Sequence, residues 1–253
     1  MTDGNNCYSL KGAVYGVYNS SDKLVQTLET DENGYAKSGG LPQGTYSVKE
    51  MSSSPSYKID VASYDVTVYS DSTSTVNVTE VPQNDPVSVL VGKIDKDTTE
   101  AYKQNGATFE GAQFEIKYFD NLNGDSSGTP VRTWVYETNA NGEIHPMTQN
   151  PVSGDETFKD TFGDVVFPIG TYTIQEIKAP TGYLVNNTIE TRIITEEPGS
   201  DEHVDTYNQV TTPEQVKRSD LSFSKKFSNT GERGKNIPFL LTSNSTGESH
   251  FAT

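Results

Sequence analysis

The chain has 253 residues, of which 32% are hydrophobic and 21% are charged, and its formal net charge is -16. A strongly acidic chain is repelled by nucleic acid and by anionic membrane surfaces, so we expect neither as a partner. No apolar stretch approaches the length of a membrane span, and we expect no membrane insertion of this segment. The one cysteine, Cys7, cannot form an internal disulfide, so any covalent cross-link within the chain requires other chemistry.

Short runs of Val, Ile, Thr and Tyr alternate with clusters of Gly, Asn, Asp, Ser and Pro along the chain. Short strands at regular spacing, separated by turn signals, are typical of all-β sandwiches. Helical periodicity is nearly absent. The sequence therefore predicts an all-β protein.

One sequence frame occurs twice. Tyr46–Tyr57 reads YSVKEMSSSPSY, and Tyr172–Tyr183 reads YTIQEIKAPTGY. A shorter echo precedes each frame at Leu10–Tyr18 and Phe109–Tyr118, and a third echo follows at Gly234–Ser243. Repetition of this kind predicts an array of similar domains.

Alignment of the repeats divides the chain into three units. Unit two, residues 86–212, is complete: it opens with PVSVLVGKIDKD and closes near VDTYNQV. Unit one, residues 1–85, has no room for an opening strand of this type before its first echo. Unit three, residues 213–253, is the first part of another repeat, and residues 211–216 form a linker. We expect both ends of the chain to lie within repeats, and so neither a signal peptide nor a cell-wall anchor to be included.

Three polar side chains of unit two lie in line with apolar residues on strand faces that should be buried. Lys93 follows valines in the opening strand, Glu176 follows Tyr172 and Ile174 in the frame, and Asn208 lies in the predicted closing strand at 204–210. A lysine near a strand end usually reaches solvent, and an isolated glutamate there is usually exposed. Burial of unpaired ions, however, costs several kcal/mol, so the repeated pattern favours groups that react with one another.

A specific reaction would use these three groups. Burial disfavours the charged form of an amine, which leaves a neutral nucleophile at Lys93. A protonated Glu176 would polarise the side-chain carbonyl of Asn208 and transfer protons. Attack by the amine and loss of ammonia would leave an amide between Lys93 and Asn208.

Tyr172–Tyr183 resembles the E-box of Gram-positive pilins and of collagen-adhesin B-type (Cna-B) repeats, the SpaA-like domains. The echo GAQF and the opening strand that ends in Lys-Ile-Asp match the same family. The resemblance implies tandem immunoglobulin-like β-sandwiches of prealbumin-like, reversed topology, which form stalks of adhesins and pilins at the cell surface and cell wall. It also implies Lys93 as amine donor, Glu176 as promoting acid and Asn208 as acceptor of an isopeptide bond, with Asp205 as a neighbouring alternative.

Unit one departs from this pattern. Glu50 occupies the E-box position, and by position Asn84 is the expected acceptor, with Asp85 as the alternative. The donor lysine is missing, because Lys11 belongs to the second-strand echo. We therefore expect no internal cross-link in unit one.

Unit three supplies a candidate donor without the rest of a site. Lys225, or its neighbour Lys226, should remain a free amine, because the sequence ends before any equivalent glutamate or acceptor. The predicted strand at Ser219–Phe227 is also one candidate for filling the open edge of unit one.

Other features predict no further chemistry. Asp120–Pro130 is rich in oxygen-bearing side chains, but its spacing is not that of a calcium-binding EF-hand loop, so we expect a polar hairpin tip and no metal or cofactor. Trp134 is interpreted as a packed strand residue rather than a sugar-stacking platform. Cys7 lacks the glutamine motif of a thioester adhesin, which favours a free thiol.

Three functional hypotheses follow. The leading one is a structural stalk segment whose partners are neighbouring repeats of the same polypeptide. The alternative is a ligand-binding module for carbohydrate or host matrix protein that uses the insertions at 120–164. The third is an enzyme that carries such repeats as accessories, although no motif supports catalysis on an external substrate.

Overall fold

The computed structural model describes residues 1–104, 106–244 and 247–252. Their regular secondary structure consists of β-strands, which confirms the all-β prediction. No helix in this part of the chain is long and apolar enough to cross a membrane.

Unit one contains the strands β1 (Val14–Asn19), β2 (Leu24–Glu29), β3 (Gly44–Ser52) and β4 (Ser63–Val68). They form a single antiparallel sheet in the order β2-β1-β3-β4. The frame YSVKE lies on β3, in the centre of the sheet. Residues 74–80, at the end of the unit, form no strand.

Unit two contains a five-stranded sheet and two three-stranded sheets. Its strands are β5 (Asn84–Asp85), β6 (Val91–Asp95), β7 (Gln113–Phe119), β8 (Arg132–Glu137), β9 (Glu143–Ile144), β10 (Ser153–Gly154), β11 (Phe158–Lys159), β12 (Val165–Pro168), β13 (Gly170–Lys178), β14 (Ile189–Ile194) and β15 (Val210–Glu214). The strand orders are β10-β8-β7-β13-β14, β11-β12-β5 and β15-β6-β9.

The core of unit two lies on the inner faces of these sheets. Alternating residues of β7, β8 and β13 are almost fully buried, as period-two alternation predicts; they include Phe114, Ile116, Tyr118, Trp134, Tyr136, Tyr172 and Ile174. The interpretation of Trp134 as a packed residue is confirmed, since it is 2% exposed and its ring lies edge-on to Phe158 at a centroid distance of 6.0 Å.

The predicted opening strand, β6, and the last strand, β15, are parallel neighbours in unit two. Lys93 in β6 pairs with Thr212 in β15, and Asp95 pairs with Glu214. The predictions of a closing strand at 204–210 and a linker at 211–216 are therefore wrong, because the strand begins at Val210 and ends at Glu214.

In the described part of unit three, β16 (Phe239–Thr242) and β17 (Ser249–Ala252) pair in antiparallel orientation. The prediction of a strand across Ser219–Phe227 is wrong, because this segment forms only an isolated bridge at Lys226. Its apolar side chains are exposed, with Leu221 at 70%.

The two echoes that precede the frames share hydrogen bonds as well as sequence. In unit two, the buried Thr138 hydroxyl donates to the Phe109 carbonyl at 2.6 Å and accepts from the Ala112 amide at 3.0 Å. In unit one, the Thr30 hydroxyl likewise donates to the Leu10 carbonyl and accepts from the Ala13 amide. The repeat seen in the sequence is thus a structural repeat.

This contact generates a stability prediction. Thr138→Val should lower the free energy of unfolding of unit two by about 1–3 kcal/mol, because it leaves a buried amide and a buried carbonyl without their partner. Trp134 is the one tryptophan of the chain, so its fluorescence during urea unfolding reports on unit two. Thr138→Ser keeps the hydroxyl and is the control; equal stability of the two variants would contradict the assignment.

Candidate functional site

A buried lysine lies between two buried glutamates in unit two. Lys93 Nζ is 2.6 Å from Glu176 Oε1 and also contacts Glu214 Oε1. All three side chains are fully buried. The ammonium group also lies over the ring of Phe114, 4.6 Å from its centroid, a distance typical of a cation–π contact. The site joins the first strand, the frame strand and the last strand of the unit.

A tight turn allows Lys93 to be covered. Gly142 has φ of 82°, and a Cβ atom there would lie 2.7 Å from Phe109 Cβ and 3.1 Å from Lys93 Cβ. Only glycine adopts this backbone conformation readily without filling that space. The turn before β9 can therefore pack directly on the lysine stem.

Glu176 is held at both carboxylate oxygens. Its Oε1 accepts from Lys93, and its Oε2 accepts from the backbone amide of Asn186 at 2.6 Å. It faces Phe114 of β7 across the ladder, next to a register shift that ends the regular pairing. The carboxylate is thus fixed towards the lysine rather than free to reach solvent.

Glu214 is the last residue of β15 and differs from Glu176 in its surroundings. Its Oε1 contacts Lys93, whereas its buried Oε2 has no hydrogen-bond partner among the described residues. Burial raises the pKa of Glu214 from 4.5 to about 7; the Lys93 charge lowers it and the Glu176 charge raises it. Burial therefore favours the protonated form of Glu214 more than that of an exposed carboxyl group.

The composition of the site has a chemical consequence. One amine is in contact with two carboxyl groups, and all three side chains are shielded from water. An amine and a carboxyl group in contact are the two reactants of an amide-forming condensation, and the second carboxyl group can act as an acid or a base.

Asn208, the predicted acceptor, does not lie at this site. Its side chain is exposed and its amide donates to the Thr206 carbonyl at 3.4 Å, while its own backbone carbonyl accepts from Arg192 Nε at 2.9 Å. The alternative Asp205 is also exposed. The geometry contradicts Asn208 as the partner of Lys93, because β15 starts two residues later along the chain.

Asn84 and Asp85, the acceptors predicted for unit one, are part of unit two. Both are buried in β5, which pairs with β12. The Asp85 carboxylate accepts from the backbone amides of Thr206 and Tyr207 at 2.9 and 2.8 Å. Their role in the structure is to attach the segment before β15, which corrects the prediction.

In unit one the structure places Glu50 beside Glu80. Glu50 pairs across the ladder with Tyr15, whose hydroxyl donates to Glu80 Oε1 at 2.6 Å. Burial raises the pKa of Glu50, and the Glu80 charge contributes to the rise. Sequence reasoning missed Glu80 and Glu214, although each lies within two residues of a proline near the end of its unit.

The remaining predicted positions lie apart from the site. Lys225 is exposed, with Nζ 5.9 Å from the ring centroid of Phe239. Cys7 is buried against unit two, and burial raises the pKa of its thiol to about 11. Asp125, in the loop considered for calcium, accepts hydrogen bonds from Ser127 within the same loop.

A cluster of Asp160, Glu202 and His203 has metal-ligand character, but protein donors occupy it. His203 contacts Asp160 at 2.9 Å, and the Glu202 carboxylate accepts from the amide and hydroxyl of Thr161. These contacts give each group a partner without an ion.

The model of the SpaA prealbumin-like fold domain matches residues 2–82 and 88–210, about four-fifths of the chain. The chain belongs to this family. The two matched segments lie within the predicted units 1–85 and 86–212.

Three individual proteins that resemble the chain are 38% identical to it or less. Over 58 residues the chain is 38% identical to the trypsin-resistant surface T6 protein of Streptococcus pyogenes serotype M6; this match covers 23% of the chain and 11% of that protein. The TIE protein of Bacillus anthracis has a similar fold, with a TM-score of 0.54 at 22% identity over 83% of this chain and 31% of that chain. A fragment of the pilus adhesin SpaC from Lactobacillus rhamnosus GG gives a TM-score of 0.40 at 16% identity, covering 88% of this chain and 93% of that fragment.

The buried site predicts a large effect of removing its cation. Lys93→Ala should lower the free energy of unfolding of unit two by about 3–5 kcal/mol or more, because two buried carboxyl groups lose their partner. Urea unfolding followed by Trp134 fluorescence measures this. Lys178→Ala removes an exposed lysine 3.9 Å from Glu137 and should cost about 1 kcal/mol or less. Similar losses in both variants would contradict the buried contact.

Proposed function

We propose that the chain is a segment of the structural stalk of a Gram-positive cell-surface adhesin or pilin, in which unit two is locked by a self-formed amide between Lys93 and Glu214. The observation that carries the proposal is the fully buried contact of Lys93 with Glu176 and Glu214. It connects β6 with β15, which are parallel neighbours in unit two. Family membership and the surface protein of Streptococcus pyogenes support the setting at a cell surface.

The proposed reaction is a condensation. Lys93 transfers a proton to Glu176, and its neutral amine attacks Cδ of the protonated Glu214 carboxyl group. Glu176 gives that proton to the departing hydroxyl group of Glu214 and then takes one proton from the attacking nitrogen. A C–N bond forms, a C–O bond breaks, and one water leaves. The product is a neutral amide, which removes the cost of buried charge.

The site is built for a single turnover rather than for an external substrate. All reacting atoms belong to the chain and are buried in its interior. A small cavity beside Glu176, lined by Phe114, Asn186 and Val210 among others, provides space for the released water. The chain would therefore act on itself once and then serve as a structural element.

The strand geometry supports a load-bearing role. Because β6 and β15 are parallel neighbours, tension that enters at residue 86 and leaves at residue 215 pulls them in opposite directions along their shared ladder. A bond from Lys93 to Glu214 would carry that tension directly. The residues between them would be protected from extension.

A mass measurement tests the cross-link. The denatured chain should be lighter than its sequence mass by one water, and Lys93→Ala and Glu176→Ala should each have the full mass expected for their sequences. Tandem mass spectrometry should locate the bond between peptides that contain Lys93 and Glu214. A full mass for the unmutated chain, or loss of ammonia instead of water, would contradict the reaction.

Single-molecule force spectroscopy tests the mechanical role. Pulled from its two ends, the unmutated chain should not release the roughly 120 residues between Lys93 and Glu214. Lys93→Ala should release them and add about 400 Å of contour length, at about 3.4 Å per residue. Lys178→Ala should behave like the unmutated chain; equal extension of the unmutated chain and Lys93→Ala would contradict the role.

A further inference from the structure

The end of the frame in unit two pairs with the residues directly after Glu214. Tyr183, the last residue of the frame, forms an antiparallel bridge with Val216. Two backbone hydrogen bonds of 2.8 and 2.9 Å flank this bridge; they join residue 182 to residue 217 and residue 184 to residue 215. The frame therefore holds the chain immediately beyond Glu214.

The same pairing occurs in unit one. Tyr57, the last residue of its frame, bridges Pro82. Hydrogen bonds of 2.8 and 3.1 Å join residue 56 to residue 83 and residue 58 to residue 81. In each unit a glutamate, Glu80 or Glu214, lies two residues before the partner of the bridging tyrosine. The end of the frame thus sets the position of this glutamate along the chain in both units.

The side chain of Tyr183 connects this pairing to β6. Its hydroxyl donates to Asp95 Oδ2 at 2.9 Å, and both residues are 0% exposed. Asp95 lies two residues after Lys93 on the same strand, and it is the ladder partner of Glu214. Tyr183 therefore holds the strand of the amine through its hydroxyl, and the chain beyond the acceptor through its backbone.

Both ends of the hydrogen bond between Tyr183 and Asp95 are themselves fixed. Asp95 Oδ1 accepts from the backbone amides of residues 97 and 98 at 2.9 and 3.0 Å, and the Tyr183 ring stacks on Phe109 at a centroid distance of 5.2 Å. Burial raises the pKa of the Tyr183 hydroxyl, and the charges of Asp95 and Glu214 contribute to the rise. The hydroxyl therefore stays protonated and continues to donate.

From these contacts we infer that Tyr183 is a positioning residue for the cross-link, which holds Glu214 beside the Lys93 amine through its bridge to Val216 and its hydrogen bond to Asp95. The inference rests on the proposed condensation of Lys93 with Glu214. Two groups joined in a folded interior react only from a narrow range of relative positions. Because β15 ends at Glu214, the frame holds the chain beyond that residue.

The rate of water loss tests this role. The chain is produced as inclusion bodies, dissolved in urea and refolded by dilution; aliquots quenched in acid are weighed by mass spectrometry. Tyr183→Phe keeps the stacked ring but removes the donor, and it should slow water loss about tenfold or more because the acceptor is held less closely to the amine. Trp134 fluorescence in the same experiment should show that the variant folds like the unmutated chain, which separates positioning from stability.

Tyr207→Phe is the matched control. The Tyr207 hydroxyl donates to the Leu90 carbonyl at 2.8 Å, so it also links the segment around β15 to the segment around β6, but at the end away from Asp95. Removing it should leave the rate of water loss unchanged. Equal slowing by Tyr183→Phe and Tyr207→Phe would overturn the positioning role.

Asp95→Asn tests the same link from the side of β6, and it carries the test if Tyr183→Phe does not fold. It replaces one of the two acceptor oxygens by an amide donor and should also slow water loss. The double variant with Tyr183→Phe should be no slower than the slower single variant, because both substitutions break one link. Additive slowing would contradict action through Asp95.

The outcomes separate this inference from the cross-link itself. Water loss at the same rate in Tyr183→Phe and in the unmutated chain would overturn the positioning role and leave the cross-link in place. A full mass of the unmutated chain at every time point would overturn the cross-link and the positioning role together.

Discussion

The structure of unit two depends on the pairing of one buried lysine with two buried glutamates. A lone ammonium group in this position would cost several kcal/mol, so Lys93 can lie in the core only where Glu176 and Glu214 meet it. This requirement fixes three strands relative to one another. The opening strand supplies the lysine, the frame strand supplies Glu176, and the last strand must reach far enough to bring in Glu214.

The same requirement explains why units one and two differ. They share the Tyr-x-x-x-Glu frame, the threonine that closes the preceding turn and the backbone amide that binds the glutamate. In the described part of unit one no lysine forms an ion pair with Glu50, and Glu80 lies in a segment without regular structure. In unit two the corresponding glutamate, Glu214, lies in β15 and contacts Lys93.

Local sequence pattern was sufficient to predict the β-strands of the frames and to bring Lys93 and Glu176 to one face. Alternation along Tyr172, Ile174 and Glu176 is a property of the strand itself, so it can be read without knowing the fold. The register of the last strand, in contrast, depends on contacts with residues outside the strand and cannot be predicted from local alternation. Contacts made by Asp85 and Arg192, far away in sequence, hold residues 206–208 outside the ladder.

The last strand of unit two was not predicted because it contains a proline. Pro213 argues against a strand in a sequence reading, but β15 lies at the edge of its sheet, where a missing amide donor is tolerated. Glu214 thus lay in an apparent linker, and the more typical acceptor Asn208 was assigned in its place. An accurate prediction of the acceptor would have required the pairing of β15 with β6.

The central claim is that Lys93 and Glu214 are joined in the dry interior of unit two beside Glu176. A high-resolution crystal structure of the chain tests it most directly. The account predicts continuous electron density from Lys93 Nζ to Glu214 Cδ, with the nitrogen inaccessible to water and within hydrogen-bond distance of Glu176. Density that shows the Lys93 amine in solvent, or bonded to any other side chain, would contradict it.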